Sequence, residues 1–259
     1  MSDVLTERTG RTVILTLNRP EARNALTMNV VRDLGRGVDE AAADVDVRCI
    51  VLTGAGGHFC AGADLRRTLA EVPNLMERLD EYIDDFHHLV RAVVRSPKPV
   101  VAMVDGAAVG FGADLALACD LRVCSTNAYV QEKFAHIGLM PDGGGTFWLP
   151  HLVGKARAMQ LVLLGDKLDA ASLKDLGVAV DVVAPTALRE ATLALAARLE
   201  AGPPLAYAAA KAAILASLGD FDAALARERE SQLKLLRSKD CIEGVTAWIE
   251  KRPAKFVGA

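Results

Sequence analysis

The sequence predicts an α/β fold that is followed by a helical C-terminal region. Three short runs rich in β-branched residues, at 47–54, 99–106 and 178–184, are separated by segments long enough to form helices. Buried strands that alternate with helices of this length are typical of α/β proteins. From about Ala187 onward the strand pattern stops, and each later segment has the periodicity of a helix.

The elements of the α/β part follow from local patterns in chain order. A β-hairpin is predicted over residues 4–20, because two β-rich runs flank Thr9 and Gly10. A fourth strand is predicted over residues 121–125. Helices are predicted over residues 28–44, 74–96, 112–120, 146–154, 155–165 and 169–177. The last two end at a glycine, which is the usual residue just beyond a helix C-terminus.

The C-terminal part predicts helices only. These span residues 186–202, 204–220, 221–238 and 241–252, with breaks at the glycine and prolines of 202–204 and at Gly219. We therefore place a boundary near Gly202, between a core of residues 1–201 and a helical region of residues 202–259. Such a region packs on its own core or on a neighbouring subunit, and the pattern favours neither.

Composition sets limits on the class of protein. A chain of 259 residues that is 51% hydrophobic can bury one large α/β core or two modest ones. A net charge of −3 gives no reason to expect nucleic acid or an anionic membrane as a partner. The polar first ten residues lack a signal peptide's apolar stretch, and the apolar runs are broken by Lys98, Asp105 and Asp114. Five scattered cysteines indicate reduced, buried thiols, so a cytoplasmic location is expected.

Small residues mark three places where a strand gives way to a helix: residues 58–65, 105–115 and 141–146. The first N–H groups of a helix have no partner within it, and they favour negative charge. Two such groups aimed at one point form an oxyanion hole. The alternative is that the glycines only permit tight turns. No P-loop lysine accompanies them and no GxGxxG follows the first strand, so a dinucleotide-binding domain is not expected.

Taken in order, NRPEARNAL, HFCAGADL, KPVVAMVDGAAVGFGADLALACDLRV and GLMPDGGGTFWLPHLVG resemble the enoyl-CoA hydratase/isomerase (crotonase) superfamily. The resemblance runs from Val13 almost to the C-terminus. It implies a spiral of ββα repeats, assembly into a homo-trimer or homo-hexamer through the C-terminal helices, and an acyl-CoA thioester substrate. It also implies that no metal or redox cofactor is required.

The resemblance assigns roles by position. The oxyanion-hole donors would be the backbone N–H groups of Ala63 and Phe111. Many relatives have glycine or alanine where Phe111 stands, so its ring either borders the acyl pocket or is ordinary core. Contacts to CoA would come from Arg23, Ala61, Asp64, Leu65 and Lys251 or Lys255, although Asp64 also suits a helix cap and the cations suit a solvated surface. The acyl pocket would include Phe134, Gly138 and Gly143.

The carboxylates distinguish the reactions of the superfamily. Its hydratases use two glutamates; Asp114 matches one position, and Phe134, which can neither activate water nor protonate carbon, occupies the other. Asp142 matches the acid/base of a group of enoyl-CoA isomerases, including the ring-epoxide isomerase of phenylacetyl-CoA degradation. The alternative for Asp142 is a helix N-cap, and for Asp114 a structural carboxylate near a helix N-terminus. Glu132 and His136 are expected to be surface or structural residues.

The sequence therefore favours an enoyl-CoA isomerase that shifts a double bond, or rearranges a ring, with one aspartate as acid/base. A hydratase that uses Asp114 and Asp142 together, and a non-catalytic acyl-CoA binder, are the alternatives. The glycines beside Asp142 are interpreted as space for an acyl chain that passes close to the backbone.

Overall fold

The computed structural model describes residues 2–72 and 74–259 and confirms the α/β class. Its strands are β1 (Val4–Thr9), β2 (Thr12–Leu17), β3 (Cys49–Gly54), β4 (Val100–Val104), β5 (Ala107–Val109), β6 (Leu121–Ser125), β7 (Tyr129–Gln131), β8 (Lys167–Asp169) and β9 (Asp181–Val183). Its helices are α1 (Met28–Ala43), α2 (Leu65–Glu71), α3 (Leu79–Arg95), α4 (Phe111–Ala118), α5 (Gly145–Leu164), α6 (Ala170–Asp175), α7 (Leu188–Glu200), α8 (Pro204–Leu218), α9 (Phe221–Leu235) and α10 (Lys239–Glu250).

The strands form two sheets. The larger has the order β1-β2-β3-β4-β6-β9, in which only the β1–β2 hairpin is antiparallel; the smaller has the order β5-β7-β8. β3 and β4 are buried along almost their whole length. This burial explains why their sequences are continuous apolar runs rather than alternating ones.

The chain repeats one unit: a strand in the larger sheet, a short extended segment outside it, and then a helix. β4–β5–α4 and β6–β7–α5 are complete copies. In the two earlier copies the short segment is reduced to isolated bridges, which pair Leu26 with Ala63 and Cys60 with Ala108. These repeats are the ββα spiral that the resemblance implies. α4 follows β5 almost directly, whereas a segment with the 3-10 turn Phe134–Ile137 separates β7 from α5.

Helices cover both faces of the larger sheet. α1 and α3 bury valine, leucine and phenylalanine side chains against one face. α7 covers the other face, where Leu188 and Ala196 pack with Ile14, Val51 and Met103. Residues 186–202 thus belong to the sheet's packing. All five cysteines are buried and free, as predicted.

The structure differs from the prediction mainly in short elements. The helix predicted over residues 74–96 begins only at Leu79, and α2 and a 3-10 turn (Leu75–Glu77) precede it. β5, β7 and β8 were not predicted, because each has three residues and depends on its pairing partner for its conformation. The helices predicted over residues 146–154 and 155–165 form α5, which breaks at Gly154, where φ is +76°.

The helices beyond Gly202 behave differently from one another. α8 has no buried residue in the single chain, and its Leu205 is 85% exposed. α9 packs on α3 and α5 and buries Leu225 completely, and α10 packs on the 3-10 turn Phe134–Ile137. The division at residues 201/202 and the trimeric or hexameric assembly stay predictions. Within residues 2–72 and 74–259, no helix has both the length and the apolar character needed to cross a membrane.

Candidate active site

Two main-chain segments meet where the predicted oxyanion hole lies. We call residues 60–63 and 110–111 the donor turns. Hydrogen bonds from Cys60 N to Ala107 O (2.9 Å) and from Val109 N to Cys60 O (2.9 Å) join the first turn to β5, which leads directly into the second. A Cβ added to Gly62 would lie 2.8 Å from Val109 O and 3.5 Å from Phe111 N. The two turns are therefore in direct contact, and glycine at position 62 permits it.

The N–H groups of Ala63 and Phe111 are both available. At the bridge between Leu26 and Ala63, Leu26 uses the N–H of Asp64 and the carbonyl of Gly62, so the Ala63 amide is directed away from Leu26. Phe111 is the first residue of α4, where amides have no partner within the helix. Among the residues that the structure describes, neither N–H donates a hydrogen bond. Their placement suits two donors to one oxygen.

The ring of Phe111 is buried between α3 and the segment that follows Asp142. It is 2% exposed, and it meets Phe86 edge-on with ring centroids 4.5 Å apart. Phe86 in turn contacts Tyr82 (4.8 Å), which lines a cavity of about 190 Å³ with Thr68, Val72 and Leu75 among others. An aromatic row thus connects the second donor turn to this cavity.

Four acidic side chains are buried together beside the donor turns, and we call Asp114, Glu132, Asp142 and Glu228 the carboxylate cluster. They come from four elements: α4, the segment after β7, the segment before α5, and α9. Within the described part of the chain, no group of three or more His, Cys, Asp or Glu residues is arranged to hold a metal ion. Buried carboxyl groups without a cation must share protons or accept hydrogen bonds.

Asp114 and Glu132 form the inner pair of the cluster. Asp114 is fully buried, and its Oδ2 accepts a hydrogen bond from Gly143 N (2.9 Å). Its Oδ1 and both carboxyl oxygens of Glu132 have no other donor among the described residues. Glu132 was expected to be a surface or structural residue; the surface alternative was wrong, since it is only 1% exposed. Two buried carboxyl groups this close favour protonation of at least one of them, since two like charges repel each other.

Asp142 lies at the outer edge of the cluster and is 9% exposed. Its Oδ2 accepts a hydrogen bond from Nε2 of Gln232 (2.9 Å). The alternative interpretation, that Asp142 caps a helix, was wrong: the N-cap of α5 is Gly144, and no side chain caps it. The Asp142 carboxylate therefore does not cap α5.

Glu228 holds the segment that carries Asp142. It accepts hydrogen bonds from Gly144 N (2.8 Å), Thr146 N (3.0 Å) and the Thr146 hydroxyl. Glu228 and Gln232 were not predicted from the sequence. A signal was present, since buried Phe221, Ala224, Leu225, Glu228 and Gln232 follow the i, i+3, i+4, i+7, i+11 spacing of one helix face.

Burial raises the pKa of every member of the cluster. For Asp142 burial raises the pKa to about 7; the hydrogen bond from Gln232 lowers it and the charge of Glu228 raises it. For Glu132 burial raises the pKa to about 8. The pKa of Asp114 is raised well above its usual value by burial and then by Glu132, and that of Glu228 is raised by burial against its three donors. Protons are thus available at neutral pH.

The glycines beside Asp142 have a reason different from the expected passage for an acyl chain. A Cβ on Gly143 would lie 2.7 Å from Asp114 Cβ and 2.8 Å from the Phe111 ring. A Cβ on Gly145 would meet Asp114 Oδ1 and Pro141. The bare backbone lets α4 pack directly against this segment, which carries Asp142 to the donor turns.

The other predicted pocket residues separate. The ring of Phe134 lies 4.0 Å from where a Cβ on Gly110 would stand, so it borders the second donor turn. Gly138 instead lies against the backbone of Asp240, where a Cβ would come within 2.8 Å. Gly138 therefore faces the start of α10, and close packing against α10 explains a glycine at this position better than an acyl pocket does. His136 is exposed, as expected.

The predicted CoA contacts fall into two groups. Ala61 N donates a hydrogen bond to Arg23 O (3.0 Å), and Asp64 and Leu65 come directly after the first donor turn. These four residues therefore lie together beside that turn. The Asp64 carboxylate caps α2 through Arg67 N (3.1 Å) and pairs with buried Arg19 (2.9 Å). Lys251 and Lys255 are exposed at the end of α10, and no hydrogen bond of the described residues joins them to the first group. Their roles toward CoA stay predictions.

This chain is similar to known proteins along almost its whole length. The family model for enoyl-CoA hydratase/isomerase matches residues 7–259. A probable enoyl-CoA hydratase of Rhodobacter capsulatus is 42% identical over 95% of this chain and 94% of its own. The 1,2-epoxyphenylacetyl-CoA isomerase of Escherichia coli is 37% identical over 94% of both chains. A crystal structure of an enoyl-CoA hydratase from Mycobacterium avium subsp. paratuberculosis superposes with a TM-score of 0.89, at 36% identity over 99% of both chains.

Proposed function

This chain belongs to the enoyl-CoA hydratase/isomerase family, and on that premise we propose that it is an enoyl-CoA isomerase in which Asp142 is the acid/base. The observation that carries the proposal is the presence of a carboxyl group at Asp142 together with a phenyl ring at Phe134. Asp142 keeps one carboxyl oxygen free of hydrogen bonds from other described residues, while a phenyl ring borders the second donor turn where hydratases have a second glutamate.

The proposed reaction needs one proton carrier. Ionised Asp142 takes a proton from C2 of a 3-enoyl-CoA, and the electron pair of that C–H bond moves into the thioester carbonyl. The resulting dienolate oxygen accepts hydrogen bonds from the N–H groups of Ala63 and Phe111, which stabilise it more than the neutral substrate. Asp142 then gives the same proton to C4, and the 2-enoyl-CoA forms as the carbonyl is restored.

The ionisation of Asp142 suits this cycle. A carboxyl group with a pKa of about 7 is half ionised at neutral pH, so it can take a proton and return it. The dry surroundings of Asp142 raise its pKa and also disfavour a bound water molecule. No electrons enter or leave in these steps, so we propose that the acyl-CoA itself is the one small molecule required.

Hydration of a 2-enoyl-CoA is the second candidate, and Asp114 favours it. Asp114 stands at one hydratase position, one turn after the Phe111 donor, and its Oδ1 has no hydrogen-bond partner among the described residues. Against this function, Asp114 is fully buried and its other oxygen is held by Gly143 N. A water molecule would have to enter between Asp114 and Asp142.

A matched pair of substrates separates the two functions. We expect a 3-enoyl-CoA to be converted to its 2-enoyl isomer faster than the 2-enoyl-CoA of equal chain length gains water, as followed by mass and by enoyl absorbance. Faster formation of the 3-hydroxyacyl-CoA would replace the isomerase with the hydratase. No turnover of either would favour an acyl-CoA binder.

Asp142→Asn tests the assigned acid/base. Removing the one group that moves the proton should lower kcat by about 10²–10⁴-fold, while acyl-CoA binding and the unfolding transition stay near the wild type. Asp166→Asn, a change of the same kind at an exposed aspartate that accepts from Gln160, is the control. A variant that keeps more than about a tenth of the activity would remove Asp142 from this role.

A further inference from the structure

We propose that Gln232 of α9 is a positioning residue that fixes the orientation and ionisation of Asp142. This inference rests on the proposed role of Asp142 in catalysis. It assigns a role beside the acid/base to α9, in the helical region beyond Gly202, for which the sequence predicted packing, assembly and CoA contacts from Lys251 or Lys255.

Both ends of the Gln232 side chain are held. Its Oε1 accepts a hydrogen bond from Met140 N (3.2 Å), and its Nε2 donates to Asp142 Oδ2 (2.9 Å). A backbone N–H can only donate, so it determines which end of the amide is oxygen. The NH₂ group must then point at the carboxylate. Gln232 is 1% exposed, so water does not compete for either bond.

This arrangement leaves the two oxygens of Asp142 in different states. Oδ2 is fixed by Gln232, whereas Oδ1 accepts no hydrogen bond from another described residue. A carboxylate held through one oxygen presents the other to a substrate in a defined direction. Donation to the ionised form also stabilises it, which lowers the pKa of Asp142 against the effect of burial.

None of the other ionisable groups near Asp142 replaces the effect of Gln232 on its pKa. They are Glu228 from α9, Asp114 from α4, Glu132 after β7, and Tyr82 and His87 from α3. The three carboxyl groups can only add negative charge. His87 has its pKa lowered to about 4 by burial, so it is neutral near pH 7. Among these described neighbours, Gln232 is the side chain that donates to the carboxylate.

α9 is anchored so that Gln232 stays in register. One turn earlier, Glu228 binds Gly144 and Thr146 of the same segment. On the outer side of α9, Arg229 pairs with Asp84 and Asp80 of α3 at 2.8 and 2.9 Å. α9 therefore contacts both the segment of Asp142 and α3, which carries Tyr82.

The test is the pH profile of kcat/KM for Gln232→Met, which keeps the length of the side chain and removes the donor. Loss of a hydrogen bond to a charged group should move the acidic limb upward by about one pH unit. At pH 7 the deprotonated fraction, and hence kcat/KM, would fall about fivefold and recover near pH 9. Gln160→Met, the same substitution at a glutamine that bonds to exposed Arg157 and Asp166, should leave the profile unchanged.

Gln232→Glu is the second variant. It keeps an acceptor for Met140 N but places a carboxylate beside Asp142. The acidic limb of the kcat/KM profile should therefore move to a higher pH than in Gln232→Met. At low pH its protonated carboxyl can still donate, which allows folding to be checked there by circular dichroism. A loss of rate that is equal at every pH, with the limb unmoved in both variants, would reduce Gln232 to a packing residue.

Asp142→Asn separates this failure from failure of the proposed function. If Asp142→Asn is inactive and the limb does not move in the Gln232 variants, the positioning inference alone is wrong. If Asp142→Asn is active, the proposed acid/base is wrong, and the inference fails with it.

Discussion

The donor turns and the carboxylate cluster lie side by side but are built in different ways. The donor turns use main-chain N–H groups from two neighbouring repeats, and hydrogen bonds between backbones hold them together. The carboxylate cluster uses side chains from four elements, the last of which, Glu228, is 114 residues beyond Asp114 in the chain. The donor turns, the backbone half of the site, should therefore depend on backbone spacing and tolerate exchange of side chains. The carboxylate cluster, the side-chain half, should depend on its individual carboxyl groups.

Apart from the loss of Asp142 itself, the largest effect should come from forcing the donor turns apart. In Gly112→Ala the new Cβ would meet the carbonyl oxygen of Cys60 and lie 2.8 Å from its Cβ, so one turn must move. Displacing one donor should lower kcat/KM by roughly 10²–10³-fold, as loss of an oxyanion-hole hydrogen bond does.

Gly37→Ala is the matched control, because its Cβ would meet only the flexible side chain of Leu15 (3.1 Å). Thermal unfolding followed by circular dichroism separates a displaced turn from a misfolded protein. If a folded Gly112→Ala protein keeps more than about a tenth of the activity, the hole does not depend on this backbone contact.

The next effect concerns stability and the inner pair of the cluster. Burial raises the pKa of Glu132 from its ordinary value to about 8, so the native state binds a proton that the unfolded chain loses above about pH 4.5. The stabilisation is complete below that value and is lost as pH rises through 8. The free energy of unfolding should thus fall by on the order of 1–3 kcal/mol between pH 5 and pH 8, and by less in Glu132→Gln.

Urea unfolding at several pH values measures this difference. Glu243→Gln is a suitable control, because Arg252 holds the pKa of Glu243 at about 2 and its contribution is constant across this window. Parallel curves for the wild type and Glu132→Gln would mean that the inner pair shares no proton.

The smallest effect should come from a side chain of the donor turns. Phe111→Leu keeps the backbone N–H and most of the buried volume, so kcat/KM should change less than about tenfold. The loss of ring contact with Phe86 should still lower stability by about 1 kcal/mol. Steady-state kinetics and urea unfolding on the same preparation measure both.

A hundredfold loss of activity in Phe111→Leu would contradict the contrast between the two halves. It would show that the ring itself contributes to the site, for example by holding Gly143 and through it Asp142.

Local pattern was sufficient where a residue's conformation depends on its near neighbours. The hairpin, the buried strands and the glycine turns were predicted because propensity, apolar runs and glycine act over a few residues. The positions of Ala63, Phe111 and Asp142 came from a resemblance between motifs, and the structure brings their segments together. Local pattern was insufficient for β5, β7 and β8, which exist because they pair with one another.

The sequence by itself determined the α/β class and the family, because these follow from the order and spacing of motifs, and the resemblance it carries predicts Ala63 and Phe111 as the backbone donors. Only the tertiary structure decided which acidic groups are buried together and which residues hold them. Glu132 was expected to be a surface or structural residue, and Glu228 and Gln232 were not predicted at all. Their place in the site depends on the packing of α9 on α5 and on the segment of Asp142. Burial and hydrogen bonding between distant residues set the pKa of a carboxyl group, and no local pattern contains that information.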